Sequence, residues 1–410
     1  MDVLKSDIVI SGGSYAGLTL ALALAQTFGS EISIAIIERQ SPPPGRSDSR
    51  ASAISAGSRR LLDVLGVWPM VKDDAQDVLE IQLTDSPLEA GVRPVLLTYD
   101  NILGDGAPAS SIVPNDALGA ALEAAVSAAA GIQRLRPAEA TGFSTGDPYV
   151  RVHLADGRSI DTSLLVAADG RRSRLREAAG IKVVGWSYDQ IGIVTRVAHE
   201  LPHEGRAVQH FLPGGPFAIL PLKNNQSCIT WSEDATRARE ILSYDDEAFL
   251  AEVDKRFAGR LGNLTLTGPR GSWPLEMHLA RRYIDNRFAL IGDAAHGVHP
   301  IAGQGLNLAF RDVAALAESI ADVMRIGLTP GHSSALERYE QWRRFDSSMS
   351  AAAFDALNRL FSNDITLVRS AREVGLGLVD RVPELKRLLV AEAAGVSGDT
   401  PRLLQGIPLA

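Results

Sequence analysis

The chain contains 410 residues, and its 41 Lys and Arg against 49 Asp and Glu give a formal net charge of −8. This length provides for about two to three domains with a large core, and the dispersed acidity argues against a general nucleic-acid-binding protein, which would present a basic face. Cys228 is the single cysteine, so the chain alone builds no internal disulfide, zinc knuckle or iron–sulfur cluster.

The N-terminal segment has the pattern of a βαβ unit. Asp7–Ile10 is a short β-branched run typical of a buried parallel strand. A glycine-rich turn from Ser11 to Gly17 leads into an apolar helix over Leu18–Gln26, and Ile32–Ile37 forms a second strand. This arrangement is typical of one half of a nucleotide-binding domain.

A loop, short strands and one helix are predicted next. Residues 41–45 are rich in proline and form a loop. The Ala-rich run Asp116–Ala130 predicts a helix, with Asn115 as its N-cap and Gly131 closing it. Residues 149–166 alternate and turn at 156–157, which predicts a β-hairpin. Two further strand-like runs lie at Val78–Leu83 and Val95–Tyr99.

The C-terminal half changes from β-type to helical patterning. From Val183 to about Trp273 the chain has many β-type runs with Pro and Gly breaks, which predicts a mainly antiparallel region. From Asn307 onward the pattern is mostly helical, with a break at 330–331. The predicted fold class is therefore α/β: a dinucleotide-binding domain, interrupted by a β-rich domain and followed by a helical end.

The glycine-rich turn from Gly12 to Gly17 is the first motif with chemical meaning. A strand-to-helix turn of this kind directs backbone N–H groups and a positive helix end toward a pyrophosphate. Ser14 occupies the middle position, where glycine usually lets the backbone approach the phosphates, although serine can itself donate a hydrogen bond. Glu38 ends the second strand and can accept from ribose hydroxyls, which favours an adenosine without a 2′-phosphate. A surface role for Glu38 remains the alternative.

A second motif, Asp169-Gly170, follows the predicted strand Leu164–Ala167. It precedes a basic helix start, and taken alone it is equally compatible with an ordinary strand-to-helix turn and a solvated basic helix face. The basic residues are Arg171, Arg172, Arg174 and Arg176.

The third motif runs from Leu290 to Leu308 and is the most specific. A buried strand leads into Gly292-Asp293, a Gly/Pro loop follows, and a helix begins near Gly305. Small residues let the backbone pass close to a flat ligand, Asp293 can accept from a chain of hydroxyls, and the helix N-terminus favours negative charge. His296 and His299 have no third partner at metal-ligand spacing, so we predict no metal site.

Together the three motifs resemble the fingerprints of class A flavoprotein aromatic monooxygenases, which are FAD-dependent and share the para-hydroxybenzoate hydroxylase-like fold. The closer resemblance is to the ubiquinone-biosynthesis hydroxylases. It rests on Gly292–His296 continuing through His299-Pro300 to Gly303–Asn307. The similarity spans essentially the whole chain, with support from Asp48–Ala51, Leu65–Trp68, Phe211–Pro216, Leu220–Leu222 and Pro401–Leu404.

The resemblance implies a Rossmann-like FAD-binding domain with an inserted β-rich substrate domain and a helical C-terminal region. We expect the discontinuous FAD-binding domain at residues 1–75, 101–182 and 284–330. The substrate domain would occupy 76–100 and 183–283, and the C-terminal region 331–410.

The resemblance also implies contacts to a tightly but non-covalently bound FAD. Backbone N–H groups near Gly305 would face the N1/O2 edge of the flavin, where the helix end stabilises negative charge. Asp169 and Gly170 would serve both FAD and the passing nicotinamide, and Arg50 would lie near the diphosphate. Ser14 and Ala309 depart from the family pattern, in which glycine is usual. The implied cofactor-binding residues are Gly12, Gly13, Ser14, Ala16, Gly17, Glu38, Arg39, Arg50, Asn115, Asp169, Gly170, Gly292, Asp293, Gly303, Gly305, Leu306 and Asn307.

The implied reaction uses NAD(P)H as a transient reductant and O2 as the source of one OH group for an electron-rich ring. The expected substrate is a polyprenylated phenol of ubiquinone biosynthesis. Pro300 would lie beside the ring, and His296 or His299 could help to deprotonate a phenol, with a structural histidine as the alternative for each. The β-rich insertion would supply either the substrate side or only its own sheet core, through Phe211, Pro213, Phe217, Ile219 and Trp231.

Two other functions remain open: hydroxylation of another small aromatic compound or secondary metabolite, and a non-catalytic flavin-fold carrier or scaffold for prenylated molecules. The start Met1–Val3 has no basic segment, so we expect no signal peptide. The longest apolar run, Leu18–Ala25, is too short to span a bilayer. We expect a cytoplasmic protein with possible peripheral contact to the inner face of the membrane through helices within 354–389, and with other ubiquinone-biosynthesis proteins as possible partners.

Overall fold

The structure, a computed structural model, describes residues 3–39, 48–85, 88, 95–299, 303–361 and 390–410. These residues form an α/β fold with sheets of eight, nine and three strands. In chain order the strands are β1 (Val3–Ser11), β2 (Ile34–Ile37), β3 (Ala51–Ser55), β4 (Gln76–Asp77), β5 (Glu80–Asp85), β6 (Val95–Asp100), β7 (Ser110–Pro114), β8 (Ile132–Leu135), β9 (Ala140–Thr145), β10 (Val150–Leu154), β11 (Ser159–Ala167), β12 (Val183–His199), β13 (Arg206–Phe211), β14 (Phe217–Leu222), β15 (Gln226–Asp234), β16 (Leu264–Leu266), β17 (Gly271–Ala280), β18 (Ile284–Asp285), β19 (Phe288–Leu290) and β20 (His296–Gly297).

The helices surround these sheets, and short 3₁₀ turns cover Gly29–Glu31 and Gly292–Ala294. The helices are α1 (Tyr15–Phe28), α2 (Ala56–Val64), α3 (Trp68–Val71), α4 (Asn115–Ala128), α5 (Arg174–Ala178), α6 (Ala235–Leu242), α7 (Asp246–Phe257), α8 (Gly305–Arg325), α9 (Ser333–Phe361) and α10 (Arg402–Gln405). No helix among the described residues is long and apolar enough to cross a membrane.

The eight-stranded sheet contains the predicted βαβ unit. β1 pairs in parallel with both β2 and β11, while β8 and β19 extend the parallel arrangement outward. Ile8, Val9 and Ile10 are fully buried, as a continuous β-branched run requires. The α/β fold class, the first βαβ unit and the hairpin of β10 and β11 are confirmed.

The predicted cap of α4 is wrong. The helix begins at Asn115 itself, and Pro114 is the capping residue because its fixed φ suits the position before the first turn. Asn115 instead accepts a hydrogen bond from the hydroxyl of Ser52 on β3. The helix ends at Ala128, three residues before Gly131, which has a positive φ in the connection to β8.

The nine-stranded sheet has the order β20-β17-β12-β15-β14-β13-β5-β6, with β16 beside β12. The mainly antiparallel region is confirmed, but α6 and α7 interrupt it. Asp234 and Asp245 cap these helices, and their apolar faces pack on Trp231 and Phe217. Phe217, Ile219 and Trp231 are therefore sheet core.

The C-terminal part packs back on the first domain. Pro330 and Gly331 lie between α8 and α9, which confirms the predicted break. Gly57 at the start of α2 donates its N–H to the carbonyl of Ala394 at 3.0 Å. The segment 362–389, which contains most of the predicted membrane-facing helices, lies outside the described residues. The domain boundaries given above stay a prediction.

Candidate functional site

The three sequence motifs meet at one edge of the eight-stranded sheet. Ser11, Ala167 and Leu290 lie side by side in register at the ends of parallel strands. The turns that follow them therefore leave the sheet together. Ile37 pairs with the other side of Ser11, and this pairing brings Glu38 to the same edge.

The glycine-rich turn is shaped by close backbone approaches. Gly12 has a φ of +120°, and an added Cβ would lie 2.2 Å from the carbonyl oxygen of Ala168. A Cβ on Gly17 would lie 1.9 Å from the backbone oxygen of Gly12. Ser14 precedes α1 and makes no side-chain capping bond. Ser14 and Ala16 face a cavity, so the turn presents its backbone and one hydroxyl to that space.

Glu38 is not a surface residue. Its side chain is 5% exposed, and one carboxylate oxygen accepts from Nε of Arg134 at 2.7 Å. The other oxygen accepts from Arg136, and both arginines also pair with Glu123 on α4. The carboxyl group packs over Gly13, where a Cβ would lie 2.1 Å from the carboxyl carbon.

Asp169 has an unused carboxylate oxygen. Oδ1 is shielded from solvent and has no hydrogen-bond partner among the described residues. Burial raises the pKa of this carboxyl, against opposing contributions from the Ser173 hydroxyl and the charge of Arg176. An unpartnered buried oxygen costs free energy unless a ligand group donates to it. Gly170, at a φ of +83°, lines the cavity beside it.

The turn that begins at Gly292 is held from several sides. Gly292 donates its N–H to Oδ2 of Asp312 on α8 at 2.9 Å. His278 donates from Nε2 to the carbonyl of Asp293 at 2.9 Å, and burial lowers the pKa of this histidine. Arg176 on α5 donates to the following carbonyl at 2.9 Å. The backbone around the Asp293 carboxylate is thus fixed by groups from three other elements.

His296 belongs to a buried ion network. Its Nε2 donates to Oδ2 of Asp312 at 2.6 Å, and Nε of Arg343 on α9 donates to Oδ1 at 2.8 Å. Asp312 is completely buried, and burial alone would raise its pKa, but the facing His296 and Arg343 outweigh burial and lower it. These contacts favour the structural alternative for His296.

His299 is also buried, and neither ring nitrogen has a hydrogen-bond partner among the described residues. Burial lowers its pKa to about 4, and its ring meets the edge of Tyr188 at 5.1 Å between centroids. Pro300 lies outside the described residues. In the part of the chain that the structure describes, no three His, Cys, Asp or Glu side chains cluster as a metal site.

The start of α8 lines the same cavity as the glycine-rich turn. Gly303, at a φ of +65°, Gly305 and Leu306 line the cavity. The first N–H groups of a helix have no intrahelical acceptor and are available to a ligand. Asn307 is buried; its amide donates to the carbonyl of Ala53 at 2.8 Å and accepts from the N–H of Ser55 at 3.0 Å. It therefore joins α8 to β3.

Arg50 and Asn115 also line this cavity. Nε of Arg50 donates to Asp48 at 2.9 Å, while its side chain stays half-exposed. The carbonyl of Asn115 accepts from the hydroxyl of Tyr15 at 3.0 Å. Burial raises the pKa of Tyr15 to about 12, which keeps this hydroxyl a donor at neutral pH.

These groups open onto a cavity of about 830 Å³ that is lined by two chemically different sets of residues. The first set is the motif turns at the edge of the eight-stranded sheet, and we call it the cofactor end. The second set is mainly apolar and lies mostly on the nine-stranded sheet, and we call it the apolar end. The C-terminal residues Val390, Ala393 and Ala394 also line the cavity. The apolar side chains are Val78, Ile81, Leu83, Leu97, Tyr99, Val208, Phe211, Leu220, Trp273 and Leu275.

The structure brings most of the predicted cofactor residues to this cavity. The lining members are Ser14, Ala16, Arg50, Asn115, Gly170, Gly292, Asp293, Gly303, Gly305 and Leu306, together with His296. The members that do not line the cavity are Gly12, Gly13, Gly17, Glu38, Asp169 and Asn307. Arg39 is two-thirds exposed, with Glu139 at 3.9 Å as its charged partner.

Several residues that hold the candidate site together were missed from the sequence. Asp312 carried a signal, because it is an acidic residue among the mainly apolar buried residues of a predicted helix, as is Glu318. His278, Arg134 and Arg136 carried none, since their partners lie more than ten positions away in the chain. Arg176 was predicted only as part of the basic helix start, without its contact to the turn at Gly292. The residues present fit FAD: glycines line the cavity, and Asp169, between the lining residues Ala168 and Gly170, has an unused carboxylate oxygen.

Comparison with known proteins agrees with this geometry. The family model described as "FAD binding domain" matches residues 5–349. The chain is 41% identical to "Ubiquinone hydroxylase UbiL" of Rhodospirillum rubrum, over 98% of this chain and 94% of that protein. It is 32% identical to "3-demethoxyubiquinol 3-hydroxylase" of Escherichia coli K12, over 95% and 99%.

Solved structures share the fold. p-Nitrophenol 4-monooxygenase PnpA from Pseudomonas putida superposes with a TM-score of 0.79 at 17% identity, covering 97% of this chain and all of that one. The Diels-Alderase PyrE3 of pyrroindomycin biosynthesis gives 0.73 at 23% identity, covering 97% and 82%. The predicted resemblance is confirmed: the chain belongs to the FAD-binding-domain family, and it is an FAD-dependent enzyme of the class A flavin monooxygenase group that includes the ubiquinone hydroxylases.

Proposed function

We propose that this protein uses O2 and NAD(P)H to hydroxylate an aromatic ring that carries a polyprenyl tail, in ubiquinone biosynthesis. The observation that carries the proposal is that the cofactor end and the apolar end line one and the same cavity. A ring held where the two ends meet would have the flavin on one side and apolar side chains for its tail on the other. The names of the two sequence relatives support the same chemistry.

The fold alone does not decide the reaction, because a Diels-Alderase shares it. FAD, when bound, supplies the redox chemistry, and the chain supplies binding, orientation and electrostatics. We assign the pyrophosphate to the backbone from Gly12 to Gly17 with the Ser14 hydroxyl, and the adenosine ribose to Glu38. Asp293 would accept from the ribityl and pyrophosphate region, and Asp169 from a cofactor group at the cavity edge.

The apolar end would exclude water and bind the tail. Each buried CH2 group contributes roughly 0.8 kcal/mol, so an isoprenoid tail would dominate the binding free energy. Gln209 and Thr230 line the same cavity, and they offer polar groups that can orient ring substituents. Pro300 stays a proposed neighbour of the ring, on the sequence pattern alone.

The test begins with purified protein and added FAD. We expect a protein-bound flavin spectrum, NAD(P)H oxidation stimulated by polyprenylphenols, and a product heavier by one oxygen atom. Stimulation by short phenols alone would instead favour a hydroxylase of another small aromatic compound. FAD binding without turnover of any phenol would favour the carrier alternative.

A blocking variant tests the role of the apolar end. Ala218 lines the cavity, so Ala218→Phe should reduce turnover of the tailed substrate while the bound-flavin spectrum stays unchanged. Ala155→Phe, on the exposed turn between β10 and β11, is the matched control. Equal turnover by both variants would contradict the assignment of the tail to this end.

We also propose peripheral membrane contact, because a polyprenylated substrate partitions into lipid. Co-sedimentation with vesicles of anionic phospholipid containing a polyprenylphenol tests it. Protein that stays in the supernatant at every lipid concentration would contradict this part of the proposal.

A further inference from the structure

A cluster of four charged residues lies behind the proposed adenosine position. Arg134 and Arg136 stand between Glu38, at the end of β2, and Glu123 on α4. The side chain of Glu38 is 5% exposed, and each arginine side chain is 19% exposed. The cluster is thus two acids and two bases, with Glu38 as its least exposed member.

The geometry leaves the Glu38 carboxylate little freedom. Each of its oxygens accepts from a different guanidinium group, Oε1 from Arg134 and Oε2 from Arg136. The group also packs against the α-carbon side of Gly13. The backbone is fixed as well, because the N–H of Glu38 donates to the carbonyl of Leu135 at 3.0 Å. Nε and Nη2 of Arg134 both contact Oε1, at 2.7 and 2.5 Å, whereas Arg136 contacts Oε2 through Nη2 alone among the described residues. A carboxylate oxygen has about two acceptor positions, so Oε2 keeps one for a ligand.

We propose that Arg134 and Arg136 are positioning residues for FAD: they hold the Glu38 carboxylate in one orientation, so that the remaining acceptor position on Oε2 meets an adenosine ribose hydroxyl. This inference rests on the proposed function, since Glu38 has this task only in a flavoprotein. Charge-assisted bonds of this kind are short and directional.

A mutant cycle on FAD affinity tests the inference. The apoprotein is titrated with FAD by flavin fluorescence, for the wild type, Glu38→Gln, Arg134→Met/Arg136→Met and the triple variant. We expect at least a tenfold rise in Kd for Glu38→Gln, a rise of similar size for the arginine pair, and no further rise in the triple variant, because residues that act through one another are not additive. ADP competition should weaken in the same proportion, whereas FMN binding, which lacks the adenosine, should not change.

Two controls separate positioning from folding. Arg151→Met removes a similar ion pair with Asp161, at 2.7 Å on neighbouring strands, and should leave the Kd for FAD unchanged. Arg134→Lys/Arg136→Lys keeps both positive charges, so its Kd for FAD should lie between that of the wild type and that of the methionine pair. If the methionine pair does not fold, the lysine pair is compared with the wild type and Glu38→Gln instead.

The outcomes are distinguishable. If the wild type does not bind FAD, the proposed function itself fails. If it binds FAD but Glu38→Gln has the wild-type Kd, or if the arginine effect is fully additive with that of Glu38→Gln, the positioning inference is overturned while the hydroxylase proposal stands. A shift in the unfolding midpoint with an unchanged Kd would also overturn it, because the arginines would then only join β2 to α4.

Discussion

Replacing Gly17 with alanine is the sharpest test of the glycine-rich turn. The new Cβ would lie 1.9 Å from the backbone oxygen of Gly12, and an ordinary contact begins at 3.4 Å. The two backbones must therefore separate by about 1.5 Å (3.4 − 1.9). The new Cβ would also lie 3.3 Å from the side chain of Ile10, which is fully buried. Because neither neighbour is the end of a flexible side chain, the backbone of the turn itself must shift.

The magnitude follows from two opposing terms. Overpacking costs about 1–3 kcal/mol, and alanine recovers about 0.5–1 kcal/mol of helix propensity relative to glycine. We therefore expect the free energy of unfolding to fall by up to about 2.5 kcal/mol. A displacement of this size takes backbone donors out of hydrogen-bond range, so the Kd for FAD should rise at least about tenfold, which is 1.4 kcal/mol.

Gly119 in α4 provides a matched control. A Cβ there would find only Tyr15, at 3.8 Å, so Gly119→Ala should raise stability by about 0.5–1 kcal/mol. Urea unfolding of the apoproteins and fluorescence titration with FAD measure both quantities. If Gly17→Ala has wild-type stability and FAD affinity, the close approach does not determine the turn and the reasoning is wrong.

Two further predictions concern buried charges. Asp312→Asn leaves Arg343 without its charged partner on α8 and should cost about 3–5 kcal/mol in urea unfolding; Asp312→Asn/Arg343→Met should recover part of this loss, and equal costs for both variants would contradict the account. Folding lowers the pKa of His299 from 6.5 to about 4, so between these pH values its ring is protonated in the unfolded chain and neutral in the folded protein. Stability should therefore fall by up to about 3 kcal/mol as the pH drops from 6.5 to 4. His299→Leu should remove this part of the pH profile, and parallel profiles would speak against it.

The sequence was most informative where a short stretch contains its own physical reason. The turn from Gly12 to Gly17 and the turn at Gly292 need glycine for local backbone geometry, so spacing alone predicts them. The ends of parallel strands then bring these turns together, as the register of Ser11 with Ala167 shows.

Contacts between distant residues were beyond such reasoning. Arg134 meets Glu38 across 96 positions of the chain, and nothing near either residue indicates the pairing. The cap at Asn115 was wrong because Pro114 competes for the same position, and proline fixes its own φ. The helices α6 and α7 were missed because β-type runs on both sides dominate the pattern.

The wall formed by Val390, Ala393 and Ala394 has a consequence for the order of synthesis. A ribosome makes the residues from Gly12 to Asn307 before it makes this wall. During that time the N–H of Gly57 lacks the hydrogen bond that it later donates to the carbonyl of Ala394. Until residues 390–394 have been made, their side chains are missing from the lining of the cavity. A chain that stops short of residue 390 contains every cofactor motif but lacks these lining residues, so we expect it to bind FAD with a higher Kd than the chain that contains them.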